Sequence, residues 1–309
     1  MINRLRTQIT KYFIGKDAIV DNVLICLLAG GHVLLEDVPG VGKTTLAKTL
    51  AGAMDCSFGR IQFTPDTLPS DVVGVSVYNM KTQEFEYREG AVMRQILLAD
   101  EINRTSPKTQ ASLLEAMAEG SVTIDGIRHE LPDPFMVIAT QNPIEFLGTY
   151  PLPEAQMDRF MMRLSIGYPD AESEIRMAKN HAEGKTADSI QNVCTTADIL
   201  AMKEQVQSVH VSDAVFGYIR EIVQATRTEE KFELGASPRA TIGITSAAKA
   251  HAFLQGRNYV KPDDVKAVAI PVLHHRIVLT SEARLHKEDI DRILDQLMFR
   301  VRVPKEQAL

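Results

Sequence analysis

The ten residues from Glu36 to Thr45 read Glu-Asp-Val-Pro-Gly-Val-Gly-Lys-Thr-Thr. The apolar run His32–Leu35 before them is typical of a short buried strand, and Leu46–Met54 after them has the apolar spacing of a helix. Strand, glycine-rich turn, Gly-Lys-Thr and helix together form the context of a phosphate-binding loop. We therefore predict that this turn binds the phosphate groups of a nucleotide.

The chemistry of the turn supports this prediction. Glycines let backbone N–H groups approach phosphate oxygens without an intervening side chain, and the following helix directs its free N–H groups at the same anion. Lys43 can reach the β- and γ-phosphates, and the Thr44 hydroxyl can bind Mg²⁺. The predicted nucleotide-binding residues of the loop are Pro39, Gly40, Val41, Gly42, Lys43, Thr44 and Thr45.

One residue departs from the usual pattern of such loops. Asp37 stands where the pattern opens with a glycine. This departure keeps a second interpretation open, in which the stretch is a glycine-rich strand-to-helix turn that binds nothing.

Composition limits the class of protein. The chain has 309 residues, of which 45% are hydrophobic and 24% charged, as in an ordinary soluble globular protein with room for two domains. The net charge of −6 argues against nucleic acid as the main partner, because a duplex-binding protein needs a basic surface.

Cysteine usage and hydropathy indicate the compartment. Three widely spaced cysteines (Cys26, Cys56 and Cys194) have no metal-binding pairing and are typical of free thiols in a reducing cytosol. The apolar run Val23–Ala29 lacks a signal-peptide cleavage site and is too short to span a bilayer. We therefore expect a cytoplasmic protein that does not insert into membranes.

A second motif lies at the end of an apolar strand predicted within Met93–Glu101. Its last residues, Asp100 and Glu101, should reach the same sheet edge as the phosphate loop, because ligands lie outside the carboxyl ends of parallel strands. Strand alternation predicts opposite directions for the two side chains, with Asp100 near Mg²⁺ and Glu101 activating the attacking water. A pair of solvated acids is the alternative when the motif is taken alone.

Three further polar residues are candidates. Asn142 follows a predicted buried strand, Phe135–Thr140, and can contact the γ-phosphate or simply form an Asn-Pro turn. Arg159 ends a short helix that begins at Glu154. Arg239 lies in the first turn of a helix, where a cation is either incidental or kept for an anion.

The remaining pattern predicts two domains. Helices dominate from Asp170 onward, so we expect a nucleotide-binding domain over 1–168 and a helical domain over 169–309. Two hairpins are predicted within the first domain, at Ser76–Tyr87 and Ser121–Leu131. The Ile14-Gly15 dipeptide between two N-terminal helices can cover an adenine ring, although a helix connection is the more common explanation.

The motifs occur in the order and spacing of the AAA+ ATPases, and in detail they resemble the MoxR branch. The matching segments are Leu34–Thr44 (Walker A), Leu98–Arg104 (Walker B), Ile138–Pro143 (sensor 1), Leu152–Phe160 (arginine finger) and Gly235–Arg239 (sensor 2). The resemblance implies an α/β fold, in which a parallel five-stranded αβα core of the P-loop NTPase type precedes an all-α lid.

The resemblance also implies roles for individual residues. ATP or ADP would be bound with Mg²⁺, the ion held by Thr44 and Asp100. Glu101 would polarise water, and Asn142 would position that water or sense the γ-phosphate. Ile14 and Gly15 would line the adenine site. Arg159 would reach the nucleotide of a neighbouring subunit. Arg239 would report nucleotide state as the lid moves about a hinge near residues 168–169.

Partners follow from the same resemblance. Such proteins are usually hexameric rings that act as chaperone-like partners of proteins with von Willebrand factor A domains, and their hairpins contact a client. Two other functions are kept as alternatives. The first is an ATP-gated binding scaffold with negligible turnover, which the complete catalytic set disfavours. The second is a DNA-directed AAA+ motor, which the absence of a basic excess disfavours.

Overall fold

The structure is a computed structural model that describes residues 1–142 and 149–304. Its strands, in chain order, are β1 (Val33–Glu36), β2 (Phe58–Gln62), β3 (Gly74–Asn79), β4 (Glu84–Glu89), β5 (Ile96–Asp100), β6 (Ser121–Ile124), β7 (Ile127–Glu130), β8 (Met136–Gln141), β9 (Met162–Leu164), β10 (Phe232–Leu234) and β11 (Val278–Leu279). Its α-helices are α1 (Ile2–Tyr12), α2 (Asp17–Leu28), α3 (Lys43–Ala53), α4 (Pro69–Val73), α5 (Pro107–Glu119), α6 (Glu154–Met157), α7 (Ala171–Ala182), α8 (Thr196–Ser208), α9 (Asp213–Thr228), α10 (Pro238–Leu254), α11 (Pro262–Leu273), α12 (Ser281–Leu285) and α13 (Ile290–Arg300).

A parallel sheet of five strands, in the order β2-β5-β8-β1-β9, forms the centre of the nucleotide-binding part. Its three inner strands are apolar and buried on both faces up to the polar residues at their carboxyl ends, as expected of helix-covered parallel strands. β1, β5 and β8 are neighbours, so the segments that follow them emerge at one edge. The α/β fold expected from the sequence is confirmed.

Two antiparallel hairpins project from this core. β3 pairs with β4 and β6 pairs with β7, as predicted. Asp125 (φ 50°) and Gly126 (φ 81°) both adopt the left-handed conformation that a type I′ turn requires. The rings of Tyr87 and His129 stack at 4.0 Å and join the two hairpins. On the first hairpin, Met80 is 86% exposed and Phe85 72% exposed.

The C-terminal part is helical, with one addition that the sequence did not predict. β10 and β11 form a short antiparallel ribbon between helices that are far apart in the chain. α10 packs against α8, α9 and α11 and also against α2 of the N-terminal part. Leu24 and Ile244 accordingly belong to one continuous hydrophobic cluster, so the lid rests directly on the N-terminal helices.

One expected helix is shorter than the sequence suggested. The segment from Glu154 to Phe160 is helical only as far as Met157, so Arg159 lies beyond the helix rather than at its end. No helix in the described parts of the chain is both long and apolar enough to cross a membrane.

Candidate nucleotide-binding site

A cavity of about 380 Å³ lies at the carboxyl edge of the central sheet. This volume is in the usual range of small-molecule sites. The phosphate loop, the end of β5 and Asn142, which were predicted to lie together, meet here. Residues of β2, which were not predicted, also line the cavity. The lining residues are Pro39, Gly40, Gly42, Lys43, Thr44, Arg60, Gln62, Asp100, Glu101 and Asn142.

The phosphate loop has the backbone that its glycines permit. Gly40 (φ 87°) and Gly42 (φ 93°) are both left-handed, where a residue with a side chain is strained. A Cβ on Gly42 would also stand 3.4 Å from the Phe13 ring. α3 begins at Lys43, so its unpaired N–H groups open onto the loop. Val41 in the loop and Thr45 in the first turn of α3 do not line the cavity.

The Lys43 side chain lies across the opening of the phosphate loop, toward Asp37. Its ammonium group donates a hydrogen bond to the backbone carbonyl of Asp37 at 2.6 Å. Burial lowers the pKa of Lys43, while the charges of Asp37, Asp100 and Glu101 oppose this shift. A half-buried cation beside open N–H groups is suited to phosphate oxygens.

Asp100 and Glu101 lie at the sheet edge, but Glu101 is no longer part of the strand. Asp100 is the last residue of β5, and its carboxylate accepts hydrogen bonds from Thr140 Oγ1 (2.6 Å) and from Arg60 (2.7 Å). Glu101 has a φ of 55° and has left the strand. Strand alternation therefore does not set the direction of the Glu101 side chain, but both residues line one cavity at the sheet edge.

Glu101 is held by two neighbours in this position. Its carboxylate accepts hydrogen bonds from Gln62 Nε2 (2.8 Å) and from Arg104 (3.0 Å). The Glu101 N–H donates to Thr140 Oγ1 at 2.9 Å, which fixes the backbone turn. The carboxylate is thus oriented rather than free to rotate in solvent.

Arg60 and Gln62 are site residues that the sequence analysis missed. Both lie on β2, which pairs with β5 at the edge of the sheet. The available signal was their spacing, since polar residues two apart share one face of a strand. That signal needs the knowledge that β2 and β5 are neighbours, which the order of segments along the chain does not supply.

The donor chemistry of the cavity fits Mg²⁺. Thr44 offers a hydroxyl and Asp100 a carboxylate, and both line the cavity with Lys43. Mg²⁺ is usually held by one or two protein oxygens together with phosphate and water oxygens, so this small set is sufficient. An ion bound here would share Asp100 with Arg60, whose guanidinium already contacts one carboxylate oxygen.

Asn142 follows β8 directly and lines the same cavity while only 7% exposed. Pro143, the last residue of the segment that resembles sensor 1, lies outside the described residues.

Ile14 and Gly15 do not line the cavity. Ile14 is buried, with 3% of its surface exposed. Gly15 has a φ of 80°, and a Cβ added there would lie 2.3 Å from Ser173 Oγ of α7. The structure therefore places this dipeptide at the packing contact between the N-terminal segment and the first lid helix.

Arg159 and Arg239 are brought together, but away from the phosphate loop. They line a smaller surface pocket with Met117, Ala118 and Asp158, which shares no residue with the larger cavity. Arg159 donates a hydrogen bond to the Leu114 carbonyl at 2.8 Å. The Arg239 guanidinium lies 3.6 Å from the Asp158 carboxylate and is 65% exposed.

The segment that carries Arg159 is fastened to the lid. Arg276, whose side chain is only 5% exposed, donates to the Asp158 carboxylate at 2.6 Å and to the Phe160 carbonyl at 2.7 Å. Ser237 Oγ donates to the other Asp158 oxygen at 3.3 Å. A movement of the lid would thus displace the two residues that flank Arg159, and Arg159 with them.

Comparisons with known proteins agree with this geometry. The profile of the ATPase family associated with various cellular activities (AAA) matches residues 32–162, and that of the AAA lid domain matches residues 224–297. YeaC of Bacillus subtilis is 48% identical over the whole chain and 96% of its own length. Chaperone MoxR1 of Mycobacterium tuberculosis is 40% identical over the whole chain and 84% of its own length.

A solved structure supports the same assignment. A crystal structure from Cytophaga hutchinsonii superimposes with a TM-score of 0.92 at 40% identity, covering 98% of this chain and 95% of that one. Fold, lid and phosphate loop agree with the sequence relationships. The chain therefore belongs to the MoxR family of AAA+ ATPases, which are ATP-hydrolysing P-loop NTPases.

Proposed function

We propose that this chain hydrolyses ATP with Mg²⁺ in the larger cavity and uses the reaction to remodel or assemble partner proteins. The observation that carries the proposal is the presence of an oriented carboxylate, Glu101, in the same cavity as Lys43 and Thr44. A protein that only binds nucleotide has no need of a positioned base. The family membership supports a chaperone-like role.

The residues of the cavity divide the work as follows. Lys43 and the loop backbone bind the phosphates, and Thr44 and Asp100 would hold Mg²⁺, which neutralises developing charge on the phosphate oxygens. Glu101 takes the proton of the attacking water. Asn142 orients that water or contacts the γ-phosphate.

We further propose that Arg159 and Arg239 both serve the nucleotide bound by a neighbouring copy. Both are exposed and lie outside the cavity of their own chain, beside Asp158. AAA+ proteins typically form oligomeric rings, which would bring such a surface to the next subunit's phosphates. In related phosphoryl-transfer enzymes an arginine supplied by a partner raises the rate by about 10³–10⁵.

Several finer assignments remain proposals. They include a hexameric ring, a partner with a von Willebrand factor A domain, a cytoplasmic location and a boundary between residues 168 and 169. The exposed apolar side chains of the first hairpin, such as Met80 and Phe85, are our proposed contact surface for a client.

The first test separates binding from turnover. Lys43→Ala should abolish both binding of a fluorescent ADP analogue and phosphate release from ATP. Lys48→Ala is the matched control, because this lysine lies on the same helix and only makes a surface ion pair with Asp188 at 2.9 Å. Equal behaviour of the two variants would contradict the assignment of the cavity.

The second test addresses the partner class. An excess of a chemically unfolded model protein should raise the rate of phosphate release, and duplex DNA should leave it unchanged. Stimulation by DNA alone would instead favour a DNA-directed motor.

A further inference from the structure

Asp37, which replaces the first glycine of the phosphate-loop pattern, is buried, with 6% of its surface exposed. Three donors surround its carboxylate. Ser165 Oγ (3.1 Å) and the Gly167 N–H (3.0 Å) donate to one oxygen, and the Ile166 N–H donates to the other. Within the described residues, the acid is therefore tied to a segment about 130 positions away.

The three donors belong to the connector between core and lid, which we define as residues 165–173. β9 pairs with β1 as far as Leu35 and Leu164, and beyond this point the Asp37 side chain continues the attachment between the two segments. Gly167 (φ 64°) then turns the chain toward α7. At the end of the connector, Ser173 packs against Gly15.

The main chain of Asp37 acts on the other side, at the phosphate loop. Its carbonyl accepts the hydrogen bond from Lys43 Nζ at 2.6 Å, and its N–H donates to the Gln141 carbonyl at 3.3 Å. One residue thus contacts the phosphate-binding lysine with its backbone and the connector with its side chain.

We propose that Asp37 is a positioning residue that couples the phosphate loop to the core–lid connector. A phosphate that draws Lys43 toward itself changes the hydrogen bond between Lys43 and the Asp37 carbonyl, so Asp37 shifts. Its carboxylate, bonded to residues 165–167, moves those residues with it. A glycine at this position would leave the buried Ile166 N–H without its acceptor.

This inference rests on the ATP site proposed above. The test uses the full-length chain and two measurements, the affinity for a fluorescent ADP analogue with Mg²⁺ and hydrogen–deuterium exchange at saturating ADP. In the wild type, ADP should slow exchange in both the loop (37–45) and the connector. In Asp37→Asn, affinity should fall about tenfold, since charged hydrogen bonds are lost. At saturation the loop should still be protected, but the connector should not.

Ser165→Ala is a second variant that leaves the loop sequence intact. It removes one of the three donors and should reduce connector protection in the same direction but to a smaller extent. It decides the question even if Asp37→Asn fails to fold. The matched control is Asp198→Asn, which removes a carboxylate that likewise accepts a backbone N–H, from Thr195 at 2.8 Å, but in the lid. This control should lower the melting temperature without changing affinity or connector protection.

The outcomes separate the inference from the proposed function. Wild-type connector protection at saturating ADP in Ser165→Ala, and in Asp37→Asn where that variant folds, would overturn the coupling and leave the ATP site standing. Failure of the wild-type protein to bind the ADP analogue would overturn the ATP site and the coupling with it.

Discussion

At the scale of single residues, Glu101 is the proposed general base. It leaves β5 with a left-handed backbone, and Gln62 and Arg104 fix its carboxylate over the cavity that contains Lys43. A base held within the site contributes about 10²–10⁴ in rate to proton transfer.

We expect Glu101→Gln to bind ATP normally and to hydrolyse it at least about 100-fold more slowly, because the amide cannot take a proton. ATP binding and single-turnover phosphate release measure the two effects separately. Glu221→Gln, which changes an exposed carboxylate on α9, is the control and should behave as wild type. Normal turnover in Glu101→Gln would remove this residue from its role.

Some residues of the cavity could be identified from the sequence, and others could not. Lys43 and Thr44 sit in a short motif whose local context, strand then turn then helix, is sufficient, and Asp100 was predicted from its strand end together with that motif. Arg60 needed the pairing of β2 with β5, which is not encoded in neighbouring residues. The contacts of Asp37 join segments 128–130 positions apart. The motif shows that Asp37 replaces the usual glycine, but it contains no information about the distant residues that explain the replacement.

At the scale of elements, the attachment of β1 depends on a buried imidazole. His32 precedes β1; its Nδ1 accepts the Val137 N–H at 3.0 Å, and its Nε2 contacts the Met117 carbonyl at 3.3 Å. Burial lowers the pKa of His32 to about 4. The folded state therefore favours neutral imidazole, with the proton on Nε2.

The sign of the pH dependence follows from this shift. Below about pH 6.5 the unfolded chain takes up a proton that the folded chain does not, so stability falls as pH drops from about 6.5 to about 4. The full effect corresponds to at most roughly 3 kcal/mol. Melting temperatures across this range should fall less steeply in His32→Gln than in the wild type. His181→Gln, on the exposed face of α7, should keep the wild-type slope; a slope in His32→Gln equal to that of wild type would contradict the assignment.

The sequence was informative about elements wherever local signals agree. α5 begins after the helix-start pair Ser106-Pro107 and ends at the left-handed Gly120, and the hairpin predicted at Ser121–Leu131 turns at Asp125-Gly126. The β10–β11 ribbon was missed because it pairs short segments across the lid. Arg159 was expected on a helix, but its segment is held instead by Arg276 from a distant part of the lid.

At the scale of the whole molecule, we propose that each active site is shared between two copies of the chain. Arg159 and Arg239 line one pocket with Asp158, and Glu101 lies in a different cavity. In the lid, Arg276 contacts Asp158, which lies beside Arg159 and Arg239. The connector contacts Asp37 at the start of the phosphate loop through the Gly167 N–H. Binding or hydrolysis of a nucleotide in one subunit would thereby change the positions of Arg159 and Arg239, which contact the nucleotide of the next subunit in this proposal.

Complementation between two inactive variants tests the shared site. Arg159→Ala should bind nucleotide but lose at least about 100-fold in hydrolysis, and mixing it with Glu101→Gln should restore part of the activity. Restoration arises because some interfaces then combine an intact Glu101 with an intact Arg159. Arg220→Ala, an exposed arginine on α9, is the matched control and should retain full activity alone. Mixed rings shown by mass to form without regaining activity would argue against a contribution from the neighbour.

The most direct measurement is the specific ATPase activity, with Mg²⁺, as a function of protein concentration, read beside the molar mass from light scattering. If the site is shared, activity per chain rises with the appearance of the oligomer, and Arg159→Ala abolishes this rise without preventing assembly. A constant activity per chain in a protein that remains monomeric would contradict it, because the cavity of one chain would then be catalytically complete.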